Sequence, residues 1–333
     1  MRTEPLDRVQ KAFFQGRYRA PSNAYAAPGL VFASRFKDEV ANKLSVAEFR
    51  IVEGFWDRQA RALSAAKRFE LDQSHHQFQE ARSALRQSDM SEQGQLLVLT
   101  LLDPAAAYYH YQRGDYARAR RLVLDGVSAN RRLTEVYGVG ILSAQRMQLC
   151  HNILRITTRE EKREETVRLA AAYLNYLEYH TAPLPEAIAW ADIVRDFPDE
   201  IIPFYFDQVC GEAALALLGT DDTRLFGELA GHANWPGCLT TFAPHGHSWI
   251  ATAQCKYRGQ TEEYLHRACG LLEVGRTGEP SLWLATVFDV AAVCRSLGAP
   301  GRALAALIYD EMIGMPDASW IFESLSLAPG AVN

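Results

Sequence analysis

The chain has 333 residues, 48% of them hydrophobic, 11% aromatic and 23% charged, with a net charge of −5. This balance excludes a disordered or collagen-like chain, and at this length folding buries roughly 75% of the unfolded surface, so a core needs neither metal nor disulfide. The charge is uneven: residues 1–168 hold 27 Lys/Arg against 20 Asp/Glu, a net +7, and residues 169–333 hold 8 against 20, a net −12, so the second half should attract a basic partner.

The opening Met1-Arg2-Thr3-Glu4-Pro5 has no apolar segment of a secretory signal. The longest apolar run, Leu96 to Leu102, stops at Asp103-Pro104, too short to cross a bilayer. Cys150, Cys210, Cys238, Cys255, Cys269 and Cys294 show no close pairing, and most sit in apolar runs. We therefore expect a cytoplasmic protein with reduced core cysteines and no membrane partner.

Residues 1–44 read as an N-terminal capping segment laid over the first long helices. It has a short helix ending near Gly16, a turn-rich connection through Pro21-Ser22-Asn23 and Pro28-Gly29, and a second helix from Phe32. Residues 45–333 read as a helical-repeat array with a subdivision point near 181–200. Ser45-Val46-Ala47-Glu48 is a capping box. Behind it Val46, Phe49, Val52, Phe55, Trp56, Leu63, Ala66 and Phe69 recur at three- and four-residue steps, as one face of a helix does. Leu71 to Leu85 follows, and then Ser91 to Arg113, where Pro104 predicts a break or kink.

The run from Ala107 through Tyr108-Tyr109-His110-Tyr111-Gln112-Arg113-Gly114-Asp115-Tyr116 to Ala119 resembles the turn and second helix of a tetratricopeptide repeat. Ala107, Gly114, Tyr116, Ala119 and Val123 fall at that family's small and packing positions, and the order recurs at Ala291, Gly298, Ala303 and Leu307. The resemblance is to the broad tetratricopeptide-like class, whose strict 34-residue spacing is absent here. It implies an all-α protein, an α-α superhelix of stacked hairpins that works by surface contact.

Thr158-Arg159-Glu160-Glu161 predicts a second capping box and a helix through Tyr179. Pro185 to Arg195 reads as a short helix, and Phe204 to Leu218, apolar nearly all round, as a central buried one. Asp222 to Ala233, Ser248 to Arg258, Thr261 to Val274, Ser281 to Leu297 and Gly301 to Ile313 complete the series. Gly219, Gly259 and Gly298 lie about 40 residues apart, each where a helix end needs a left-handed residue. No stretch alternates convincingly at period two, so almost no sheet is expected.

Chemistry is sparse. His232, Cys238, His245, His247 and Cys255 surround one connection, and thiolate and imidazole are zinc ligands, yet their spacing matches no zinc framework. Cys238, His245, His247 and Cys255 are thus the metal candidates, while the expectation is no metal and no cofactor. Asp207 and Asp289 each interrupt an apolar helix, where a carboxylate must be paired or protonated; the expected role is tying helices together. Arg113, Arg118, Arg120, Arg121, Arg131 and Arg132, with Tyr108, Tyr109 and Tyr111, form a basic aromatic patch in no recognised nucleic-acid motif.

The expected function is non-enzymatic: binding, and inhibiting or chaperoning, a specific basic protein partner. A cytosolic immunity protein that neutralises a basic toxin is the particular case. Asp221, Asp222, Glu262 and Glu263 at the glycine turns, with Trp235 and Trp249, are the expected partner-binding residues. One alternative is an all-α enzyme with a pocket near Asp207 or the His232–Cys255 connection. Another is a nucleic-acid-binding regulator using the Arg113–Arg132 patch.

Overall fold

In a computed structural model, residues 4–19, 26–179, 201–231, 245–277, 279–315 and 318–325 are described, and every regular element among them is helical. The protein is all-α. The chain divides into two compact units, one formed by Ala26–Glu160 and the other by the described residues of 4–19, 161–179 and 201–325. Among the described residues no helix is long and apolar enough to cross a membrane. Pro185–Arg195 and the loop at Trp235-Pro236-Gly237 lie outside the described residues.

The first unit holds α2 (Ala26–Ala41), α3 (Val46–Lys67), α4 (Leu71–Gln87), α5 (Glu92–Gln112), α6 (Tyr116–Tyr137) and α7 (Leu142–Arg159). Consecutive helices α3–α4, α5–α6 and α6–α7 pack against each other, and α3 also packs on α5. Ser45 caps α3 by accepting the Glu48 amide at 3.2 Å. Glu48 leaves the expected box and crosses to the next hairpin, accepting the Ser91 amide at 2.8 Å; Ser91 in turn caps α5 through the Gly94 amide. Glu39 does the same for α7, holding the amides of Gly140 and Ile141 at 2.7 and 3.1 Å. Free amides at helix starts are thus satisfied by carboxylates from other helices.

Two expectations are corrected here. The helix does not break at Pro104, since α5 runs through it. Proline lacks the amide that would have bonded the Thr100 carbonyl, and Gln145 of α7 donates to that oxygen instead at 2.7 Å. Asn130 of α6 donates to Gln145 and to the Leu142 carbonyl, which links three helices around the proline. The second capping box also fails. Thr158 is buried in the last turn of α7, its hydroxyl donating to the Leu154 carbonyl, and the reversal follows at Glu161, whose φ is +57°. A threonine that bonds back along its own helix does not cap the next one.

The second unit holds α1 (Glu4–Arg17), α8 (Arg163–Tyr179), α9 (Ile201–Ala216), α10 (Thr223–Gly231), α11 (His245–Tyr257), α12 (Thr261–Val274), α13 (Pro280–Arg295), α14 (Gly298–Met312) and α15 (Ser319–Ser324). Its centre is α9, buried along most of its length and packed on α8, α11 and α13. Helix α1 packs on α12 and α14, at the far end of the sequence. The approach is backbone to backbone: a Cβ on Gly16 would stand 1.7 Å from the Leu272 carbonyl oxygen.

The glycine turns form as expected, with φ of +67° at Gly219, +71° at Gly259 and +81° at Gly298. In the α5–α6 hairpin Ala107 and Ala119 are buried and Gly114 is left-handed, in the order of the repeat resemblance. In α13–α14 the order shifts. Ala291 is buried but Ala303 is exposed and Leu307 half-buried. The close-packed position is Gly301, where a Cβ would meet the Cys294 carbonyl oxygen at 2.2 Å.

Candidate functional site

The turns at Gly219 and Gly259 come together at one end of α9, α10, α11 and α12. Tyr257, the last residue of α11, stacks on Phe226 of α10 at 4.4 Å and directs its hydroxyl to the Thr220 carbonyl at 3.4 Å. Burial pushes its phenol well above the ordinary tyrosine range, and the charges of Asp289, Asp221 and Asp222 push it further. Behind it Asp289 of α13 accepts Lys256 on one oxygen at 2.6 Å and the Tyr264 hydroxyl on the other at 2.8 Å. The base of this face is therefore fixed by bonds between α11, α12 and α13.

The acids predicted at these turns stand on that base in two states. Asp222 caps α10, accepting the amides of Arg224 and Leu225 at 2.9 and 3.1 Å. Glu263 pairs with Arg267 one turn on. Asp221 and Glu262 are exposed. All four lie at helix N-termini, where the helix dipole favours negative charge. Arg224 gathers Asp222, Glu228 and Glu164 beside them. The described residues of this unit carry 14 Lys/Arg against 19 Asp/Glu, a net −5, and Ala26–Glu160 carry 19 against 15, a net +4. Net-basic α1 belongs to the acidic unit, which narrows the contrast seen along the sequence.

The other nominated residues are distributed differently. Trp249, expected to meet a partner, is 7% exposed and belongs to the core face of α11 with Ile250 and Ala253. Trp235, His232 and Cys238 lie outside the described residues. His245 and His247 sit in the first turn of α11, where residues two apart point to different sides of a helix. The His247 ring packs on Phe206 at 4.6 Å, and burial holds its pKa below the usual histidine value. Cys255 is buried, its thiol directed to the Ala251 carbonyl. Among the described residues no three His, Cys, Asp or Glu side chains gather as a metal site.

Asp207 is 1% exposed and accepts the Gly246 amide at 2.7 Å, so it caps α11 from the neighbouring helix. Of the predicted arginine patch, Arg113 bonds the Tyr109 hydroxyl, Arg120 pairs with Glu160 and Arg132 with Glu92, while Arg118 and Arg121 are exposed. Tyr109 is itself buried, leaving Tyr108 and Tyr111 at the surface of that hairpin. The bonds from Tyr257 and Asp289 that join the two turns follow no local sequence pattern, although an acid interrupting an apolar helix marked one of them. The chain matches no protein-family model, no curated protein and no solved structure.

Proposed function

We propose that this is a non-enzymatic binding protein of the tetratricopeptide-like helical-repeat class. Its acidic turn face holds a specific basic partner protein and inhibits or chaperones it. The observation that carries the reading is the joining of two turns through Tyr257 and Thr220, which sets Asp221 and Glu262 on a base braced by Asp289. Exposed charge on a rigid base steers an oppositely charged partner and sets its orientation at little ordering cost. Three interior carboxylates support a binding role over catalysis: Asp103 is engaged by Arg82, Asp207 by the Gly246 amide and Asp289 by Lys256 and Tyr264. An immunity protein that neutralises a basic toxin is the form this chemistry fits best.

The test is affinity capture from the native host with the wild-type chain and with D221K/E262K. The reading expects a basic protein retained by the wild type, released as salt rises, and lost with the double variant. Equal capture by both proteins, or capture insensitive to salt, would reject the acidic face as the binding surface.

A further inference from the structure

The first unit carries a surface that the acidic turn face does not use. Helix α3 buries Val52, Phe55, Ala62, Ala65 and Ala66 and turns its other side outward. Arg50, Gly54, Asp57, Arg61 and Ser64 recur there at steps of three and four, and all five are exposed, so they form one line along the helix. Arg58 flanks the line with its guanidinium 5.4 Å from the Phe55 ring centre, and Lys67 stands at its end. Among the described residues no acid pairs with Arg50, Arg58, Arg61 or Lys67, all of them exposed. In the arginine patch named from the sequence, by contrast, Arg113, Arg120 and Arg132 are engaged within the fold.

Two residues on this side are unfavourable for the fold itself. Gly54 lies in the middle of α3, where glycine weakens a helix relative to alanine, and a Cβ on it would meet nothing within 4 Å. No neighbour in the fold calls for a glycine there. Phe69 follows the helix end at φ +60°, where a side chain is strained, and it is 57% exposed. The Arg68 guanidinium holds Glu70 across it at 2.7 and 2.9 Å. Residues that break a local rule without a gain inside the fold point to a function outside it.

The face suits a chain of phosphates better than a protein partner. None of the five residues on the line is a large apolar side chain, so the apolar centre of a protein interface is missing, although Ile51 to one side is 46% exposed. Arginine meets phosphate with a planar fork of donors. From Arg50 to Lys67 is about 26 Å along the helix, room for about four nucleotides, the low end of single-strand sites. Glycine lets a backbone approach closely, and an exposed ring gives a base a stacking surface whatever its sequence.

We propose that the outward face of α3 binds single-stranded nucleic acid. Its phosphates meet Arg50, Arg58, Arg61 and Lys67, its backbone passes over Gly54, and one unstacked base lies on Phe69. Asp57, on the same line, opposes the strand and limits its affinity, while Glu53 beside it is paired with Lys37 at 2.6 Å.

The experiment is fluorescence anisotropy of labelled oligothymidylate and oligouridylate dodecamers with the full chain, at about 50 to 200 mM salt. Four phosphate contacts give a slope of log affinity against log salt of about −3, falling in magnitude to about −1.5 in R50A/R61A. F69G and G54L should each bind about tenfold more weakly. Both should also melt at a higher temperature than the wild type, a combination that damage to the fold does not produce. D57N should bind more tightly. Binding of either strand supports the proposal, and the tighter of the two identifies the sugar. No binding at about 50 mM salt, tighter binding of a duplex of the same length, or affinity unchanged in F69G and G54L overturns it. So does retention on phosphatidylserine vesicles without oligonucleotide binding, since a membrane surface would then be the partner. The D221K/E262K result is independent of this outcome, because those residues belong to the other unit.

Discussion

Asp289 takes Lys256 on one oxygen and Tyr264 on the other, and the Lys256 and Asp289 side chains are only 14% and 18% exposed. Removing the acceptor while keeping the volume leaves an ammonium and a phenol without their bonds in a partly dry site. D289L should therefore cost about 2 kcal/mol, read as a lower urea midpoint at unchanged slope. D289N, which retains one acceptor oxygen, should fall between it and the wild type. The aspartate was legible in the sequence because it broke an apolar run, but its partners were not, since Lys256 and Tyr264 come from two other helices.

The thiols make a second prediction at this scale. Burial, with a smaller contribution from Cys269, pushes the Cys294 thiol up to about 12 from an ordinary 9, and burial raises Cys210 and Cys269 as well. A group whose neutral form the fold prefers contributes its full stability below the unfolded value and loses it as pH rises through the folded one. Melting temperature should be level up to pH about 8 and decline from about 9 upward. At pH about 8, iodoacetamide should spare these three cysteines in the native protein and modify them in urea; fast native labelling of Cys294 would contradict the burial argument.

Among the helix ends, Phe69 is anomalous. Seven described glycines have positive φ, at 114, 138, 219, 259, 275, 298 and 314, whereas two non-glycine residues do so, Glu161 and, at the end of α3, Phe69 at φ +60°. The side chain is 57% exposed, and a bidentate Arg68–Glu70 pair brackets it. F69G should remove about 1 kcal/mol of backbone strain and raise stability, while G259A, with open space around it, should lower stability by a similar amount through φ alone. Paired thermal melts decide both signs. The glycine turns were legible because only glycine takes that conformation freely. The apolar stripe of α3 runs on to Phe69 in the sequence, whereas the helix ends at Lys67. Helix α7 is not legible in the sequence, because its buried Arg146, His151, Thr157 and Thr158 disguise its core face. Helical periodicity reports burial only where the buried residues are apolar.

For the molecule as a whole, fold class was legible throughout, since 3.6-residue periodicity and missing alternation are local properties. Which helices share a unit was not. A charge profile of +7 and −12 along the sequence becomes +4 and −5 over the described residues of the two units, with net-basic α1 in the acidic one. The acidic turn face was half legible: its acids were named from their turns, whereas Trp249 was assigned outward on residue type although its helical register turns it inward. The docking of α1 on α12 gives a test at this scale. Because Gly16 meets the Leu272 carbonyl, G16A should cost about 3 kcal/mol and open α1 to trypsin at Arg8 and Lys11, followed by mass spectrometry under native conditions. Protection equal to the wild type would mean that α1 is held elsewhere.

The docking of α1 against α12 also constrains the order of events at the ribosome. Leu6, Val9 and Phe13 are made well before the helix that shelters them, which begins at Thr261. At roughly 5–20 residues per second, these greasy side chains wait on the order of 10 to 50 seconds for their cover. A nascent chain of this protein therefore carries a sticky, uncovered helix until α12 is made, a natural client for holdase chaperones and a place where slowed translation would favour aggregation.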